Sequence, residues 1–163
     1  MVLLYAHCKP LLFGKSCSSV VNLVVVSSVV KRLFSEYEKA FSALDLQRSA
    51  EFFAESFISA GPNGTITQSK AEFLKEAHKA VDFYRSVGQK SAKILTLDEQ
   101  PITEQYSLVK VHWSVTFQKT ADKLIEFDVS YLVQKVGKEP KIILFIAHQD
   151  EQKAMQDLGL LKG

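Results

Sequence analysis

Residues 104–150 read EQYSLVKVHWSVTFQKTADKLIEFDVSYLVQKVGKEPKIILFIAHQD. The stretch describes three long β-strands joined by two short turns. Over 104–118 the odd positions Val109, Val111, Trp113, Val115 and Phe117 are apolar, while Lys110, His112, Ser114 and Thr116 are polar or small. Over 124–136 the odd positions Ile125, Phe127, Val129, Tyr131 and Val133 are again apolar, against Glu126, Asp128, Ser130 and Gln134. A slip of one residue turns a whole strand over, so both apolar sets must share one face. Val115 must therefore oppose an odd-numbered partner such as Phe127 or Val129, with an odd number of residues in the loop near Ala121. The third strand, 141–148, is apolar at almost every position. That pattern predicts burial on both faces, and hence a central place in the sheet or a contact between two copies.

The chain ahead of this meander is mostly helical. From Ser28, the residues Val30, Leu33, Phe34, Tyr37, Phe41 and Leu44 recur at spacings of three and four, with charges on the other faces. Asp45 is placed to cap a second helix over 47–54, with Phe52 and Phe53 as its apolar contacts. The segment FISAGPNGTIT predicts a turn between short extended pieces at 57–60 and 65–66. Ser69 and Glu72 form a capping box opening a third helix with the apolar stripe Phe73, Leu74, Ala77, Val81, Tyr84 and Val87. Arg85 lies in its last turn, and Gly88 takes the left-handed position after it. Residues 91–97 read as a strand, 98–101 as a turn, and 150–161 as a short terminal helix.

The totals narrow the function classes. A chain of 163 residues with 20 Lys+Arg against 18 Asp+Glu is nearly neutral. Its basic residues are scattered among acids, which leaves no electrostatic footprint for a nucleic-acid backbone. The two cysteines, Cys8 and Cys17, rule out a disulfide framework and a Cys₄ zinc site in the remainder; they permit a reducing, cytoplasmic location without demanding it. His7, His78, His112 and His148 fall in no metal-binding motif, and no phosphate-binding glycine loop or nucleophile elbow is present. No metal or cofactor is expected.

Residues 1–28 differ from the rest, with two charges, Lys9 and Lys15, and the run VVNLVVV at 20–26. The basic start of a secretory signal is missing, and the apolar stretch is too interrupted for a membrane span. A poorly ordered leader, a targeting segment and an extension upstream of the true start all fit. The reading adopted is a dispensable leader or disordered extension over 1–28 and a single domain over 29–163.

The order of elements resembles the NTF2-like superfamily, specifically its SnoaL-like and ketosteroid-isomerase-like small proteins. FSEYEKAFSALDLQRSAEFFAESFISAGPNG at 34–64, the capped helix from Ser69 to Gly88, and KIILFIAHQD at 141–150 carry the resemblance, which covers 29–150. It implies an α+β fold: a cone-shaped barrel in which a curved antiparallel sheet wraps around three helices. One side of such a sheet encloses an apolar cavity, and the other often supports a homodimer. Members of the superfamily include isomerases, dehydratases, cyclases, binding modules and dimerisation scaffolds, so the fold does not fix an activity.

Within that frame, Phe57, Tyr84, Trp113, Phe127 and Tyr131 are expected to line the cavity. The hydroxyls of Tyr131 and Tyr84 could polarise a carbonyl, and Trp113 offers a flat wall with one N–H donor. The plainer alternative is core packing with those groups satisfied internally. His148, with Asp150 two residues on, is the candidate general base at the cavity mouth; alternatively it bonds locally while Asp150 caps the terminal helix. His112 and Asp128 share the polar parity, which puts them on the outer face as a cross-strand link. Ketosteroid-isomerase-like catalysis would require a buried aspartate beside a tyrosine, and no aspartate falls on the inner parity. The expectation is an aromatic-lined cavity for a small hydrophobic ligand, in a homodimer formed through the sheet, with Tyr131 and His148 as candidate catalytic residues of a cofactor-free isomerase, cyclase or dehydratase. The alternative is a dimerisation or protein-interaction domain without chemistry.

Overall fold

The computed structural model describes residues 26–118, 124–157 and 159. Most of the leader, with Cys8, Cys17, Lys9, Lys15 and His7, lies outside the described residues, as does the loop near Ala121. Among the described residues the order is α1 (Ser28–Ser42), α2 (Leu46–Glu51), β1 (Phe53–Gly61), β2 (Gly64–Ser69), α3 (Lys70–Val87), β3 (Gln89–Pro101), β4 (Tyr106–Phe117), β5 (Leu124–Gln134), β6 (Lys141–Ala147) and α4 (Glu151–Asp157). The strands form one sheet in the order β2-β1-β6-β5-β4-β3. Within it β1 and β6 run parallel, so the sheet is mixed rather than wholly antiparallel as the resemblance implied.

The meander has the parity its sequence demands. Val115 faces Ile125, Trp113 faces Phe127 and Val109 faces Tyr131, so the odd positions of β4 and β5 share the inner face. β6 is central, between β1 and β5. Its even spread of apolar residues has a specific cause: Val133 pairs with Ile142 but Leu132 pairs with Leu144, leaving Ile143 as an extra residue. This bulge reverses the facing rule along the strand. Ile142, Phe145 and Ala147 thus share the inner face, and Leu144, Ile146 and His148 the outer one. Among the described residues, Leu144 is half-buried and Ile146 keeps 40% of its surface exposed.

α1 closes the cone against β3, which is an edge strand. An open edge presents unpaired N–H and C=O groups. Here Glu38 Oε2 accepts from the Ile94 N–H at 2.9 Å, and Ser42 Oγ from the Ala92 N–H at 3.1 Å. β3 is also longer than expected. The segment 98–101 continues the strand to Pro101, which pairs with Ser107, and the turn falls at 102–105. Asp98, Glu99, Gln100 and Pro101 have the composition of a turn, yet Glu99, although charged, is buried at 2% exposure. Its carboxylate accepts from the Ser27 N–H at 2.6 Å and from the Ser107 hydroxyl at 2.6 Å, with Lys135 Nζ at 3.7 Å. Ser27 in turn caps α1. Ser28 is the first residue of α1.

The remaining local expectations differ only at ends. Asp45 caps α2, which stops at Glu51, before 54, because Phe53 already begins β1. Ser69 and Glu72 form the capping box of α3, and Gly88 takes φ +72° after it. The core between helices and sheet is built on Phe34, Phe53, Phe57, Trp113 and Phe117, each essentially buried.

Candidate functional site

A cavity of about 250 Å³ opens between the helices and the inner face of the sheet. α1 supplies Tyr37 and Phe41, the α1–α2 corner Leu44, α2 Leu46 and Ser49, and α3 Phe73, Ala77, Val81 and Tyr84. The floor is Trp113 from β4, Phe127, Val129 and Tyr131 from β5, and Phe145 and Ala147 from β6. The strand parity accounts for this set, since the inner-facing residues of adjacent strands sit side by side.

Tyr37 organises the aromatic wall. Its ring lies edge-on to Trp113 at 5.8 Å and to Tyr131 at 6.3 Å between centroids. Phe41 meets Trp113 at 5.3 Å in the same manner. Edge-to-face packing sets the positive ring edge against the negative face and fixes ring orientation beyond what area burial does. The Trp113 indole N–H donates to the Tyr131 hydroxyl at 3.1 Å, which gives the indole its partner.

Four of the five residues expected in the wall, Tyr84, Trp113, Phe127 and Tyr131, stand along the cavity. Phe57 does not. It is buried behind the wall, 4.7 Å from Phe53 and 5.4 Å from Phe73. Phe73 and Phe53 take the place along the cavity that Phe57 was expected to fill. Tyr37, Phe41 and Phe145 were not singled out from the sequence. The first two belong to an apolar helical stripe, which by itself signals only burial. Phe145 sits beyond the Ile143 bulge, where parity no longer tells inside from outside.

His148 is on the other side of the sheet. It is exposed, its Nε2 lies 2.8 Å from Ser130 Oγ, and its N–H donates to the Asp128 carbonyl at 3.0 Å. The role of general base at the cavity mouth therefore lacks the required geometry. Asp150 accepts from the Lys153 N–H at 3.1 Å and so caps α4. His112 and Asp128 pair directly across β4 and β5, with Nδ1 3.1 Å from Oδ1. Lys110 Nζ stands 3.4 Å from the other Asp128 oxygen, and Glu126 is 3.5 Å from His112 Nε2. Burial works to raise the Asp128 pKa, but the His112 hydrogen bond and the Lys110 charge outweigh it, and the carboxyl is held below its ordinary value. Asp128 reaches the cavity rim, where its N–H donates to Gln149 Oε1 at 2.8 Å, while its carboxylate is committed to the outer face. Among the described residues, no group of three or more His, Cys, Asp or Glu side chains is arranged to hold a metal ion. Nor is any described helix long and apolar enough to cross a membrane.

The model of a family described as NTF2-like protein (DUF6841) matches residues 27–150. No curated protein matches the sequence. Among solved structures, the chain is similar to an NTF2-like protein of unknown function from Shewanella oneidensis, with a TM-score of 0.62 at 15% identity over 74% of this chain and 96% of that one. An NTF2-like protein with a cystatin-like fold from Novosphingobium aromaticivorans gives 0.62 at 10% identity, over 83% and 88%. A ketosteroid isomerase-like protein from Erwinia carotovora atroseptica gives 0.53 at 12% identity, over 74% and 93%. At these identities the likeness is one of fold.

Proposed function

The chain belongs to the NTF2-like family (DUF6841), and on that premise we propose that it binds a small apolar molecule in the aromatic cavity between its helices and sheet. The observation that carries this reading is the cavity of about 250 Å³ floored by Trp113 and Tyr131. Concave, mostly apolar sites with a few placed polar groups are where small ligands bind. Trp113 is the sole tryptophan, so it reports directly on occupancy. Titration with a panel of small hydrophobic compounds is expected to change its emission saturably. Unchanged emission across the panel, together with unchanged thermal stability, would sink the reading.

Binding is better supported than catalysis. A cofactor-free isomerase, cyclase or dehydratase would need an acid or base in the cavity. Tyr131 is the candidate that lines it; His148 and the Asp128 carboxylate are directed elsewhere.

A homodimer through the outer face of the sheet is part of the same proposal, and its support is the outer-facing pair of β6, half-buried Leu144 and exposed Ile146. Ile146 lies beside Ser130 and Leu144 beside Leu132, with His148 following on the same face. Sedimentation at micromolar concentration is expected to give a dimer, and Ile146→Glu to shift it to monomer. A monomeric parent chain would remove this part and leave the cavity reading standing. A cytoplasmic location completes the proposal, because residues 18–163 contain no cysteine and need no oxidising compartment.

A further inference from the structure

The cavity wall is apolar almost throughout, which makes one polar exception informative. Ser49 lines the cavity from α2 and is buried to 7% exposure. Its backbone is fully occupied: the N–H donates to the Asp45 carbonyl at 2.9 Å, and its carbonyl accepts from the Phe52 N–H at 3.3 Å. Among the described residues its hydroxyl makes no hydrogen bond, and it stays open to the cavity. A serine within a helix commonly turns its hydroxyl back onto the carbonyl four residues earlier, and here it does not. The other polar groups of the wall are engaged, with the Trp113 N–H on the Tyr131 hydroxyl and Gln149 Oε1 on the Asp128 N–H.

We propose that Ser49 is the polar anchor of the cavity, and that the ligand is a neutral amphiphile whose single carbonyl or hydroxyl group meets the Ser49 hydroxyl while its hydrocarbon body packs on the aromatic floor. This rests on the cavity reading above and adds the ligand's polar chemistry. A serine hydroxyl both donates and accepts, so it serves a carbonyl and a hydroxyl alike. An anion is excluded by the same wall. Among the described residues its one acidic member, Asp128, has its carboxylate tied to His112 and Lys110 on the opposite face, and no cation lines the cavity. A carboxylate carried inside would remain unpaired at a severe desolvation cost.

Calorimetry with three probes of one ring skeleton tests this: indane, indanone and indane carboxylate, each against the full chain and its Ser49→Ala and Ser49→Cys variants. Alanine is the better helix former, so both variants are expected to fold, and a melting curve verifies it. The parent chain is expected to bind indanone about tenfold tighter than indane, the worth of one neutral hydrogen bond, and to take up no carboxylate. Ser49→Ala is expected to erase the preference for indanone over indane, with Ser49→Cys in between. If Ser49→Ala keeps the preference for indanone, or the carboxylate binds as well as the ketone, the anchor is wrong and the cavity reading survives. If none of the three probes binds the parent chain, the cavity reading itself falls.

Discussion

At the scale of single residues, Glu99 is the clearest case of a charge used for structure. Burial pushes its pKa up, but the hydrogen bonds from Ser107 and Ser27 and the Lys135 charge more than offset that, and the carboxyl ends below its ordinary value. In the unfolded chain the same group titrates near ~4.3. A carboxyl whose folded pKa is depressed adds stability above its unfolded pKa, and loses it as pH falls through the folded pKa. Glu99→Gln is expected to cost about 1–3 kcal/mol at neutral pH, because the Ser27 N–H and Ser107 hydroxyl lose a charged acceptor. Urea unfolding of parent and variant should show that gap closing as pH drops below ~4.3. A gap independent of pH would assign the effect to shape alone. Residues like this one are hard to read from sequence. Asp98-Glu-Gln-Pro101 has turn composition, and only the arrival of Ser27 and Lys135 from distant parts of the chain makes burial of Glu99 tolerable. Ser49 is similar: nothing local distinguishes a serine facing a cavity from one facing solvent.

At the scale of elements, legibility follows how local the determinant is. α3 was readable at both ends because its signals lie within a few residues of one another. Ser69 and Glu72 satisfy each other's backbone N–H groups, and Gly88 takes the left-handed turn. Ser69→Ala is expected to cost ~1 kcal/mol. Gly88→Ala is expected to cost at least ~1 kcal/mol, because a Cβ there would also come 3.1 Å from that of Gln118. Thermal melts of the two variants check both values, and an unchanged midpoint for Gly88→Ala would contradict the strain. β4 and β5 were readable through strict alternation. β6 was not, because the Ile143 bulge reverses its parity midway. Alternation counted from Ile142 would carry His148 inward, and the one extra residue puts it on the outer face with Leu144 and Ile146.

At the scale of the whole molecule, the sheet depends on pairings that no local signal announces. β1 and β6 are neighbours although nearly ninety residues separate their starts, Phe53 and Lys141. Without β6 the sheet is two fragments, β2-β1 on one side and β5-β4-β3 on the other. Phe145 and Ala147 would also be missing from the cavity floor. A chain stopped after Pro140 is therefore expected to lose cooperative unfolding and to bind a hydrophobic dye, whereas one stopped after Gly159 is expected to keep a single transition. Denaturant curves followed at Trp113 distinguish the two, and a cooperative transition in the shorter chain would show that the fragments are independently stable.

The central position of β6 also bears on how the protein is made. Domains usually acquire structure as they leave the ribosome, at about 5–20 residues per second. Here α1, α3 and the β3–β5 meander are synthesised while the strand that joins the two halves of the sheet is still missing. Between the end of β5 at Gln134 and the end of β6 at Ala147, roughly one to three seconds at those rates, the nascent chain carries an unpaired β5 edge. Its exposure to chaperones and to aggregation is thus concentrated before residue 147 emerges, and synonymous codons that slow translation between 134 and 147 would lengthen that interval without altering the finished protein.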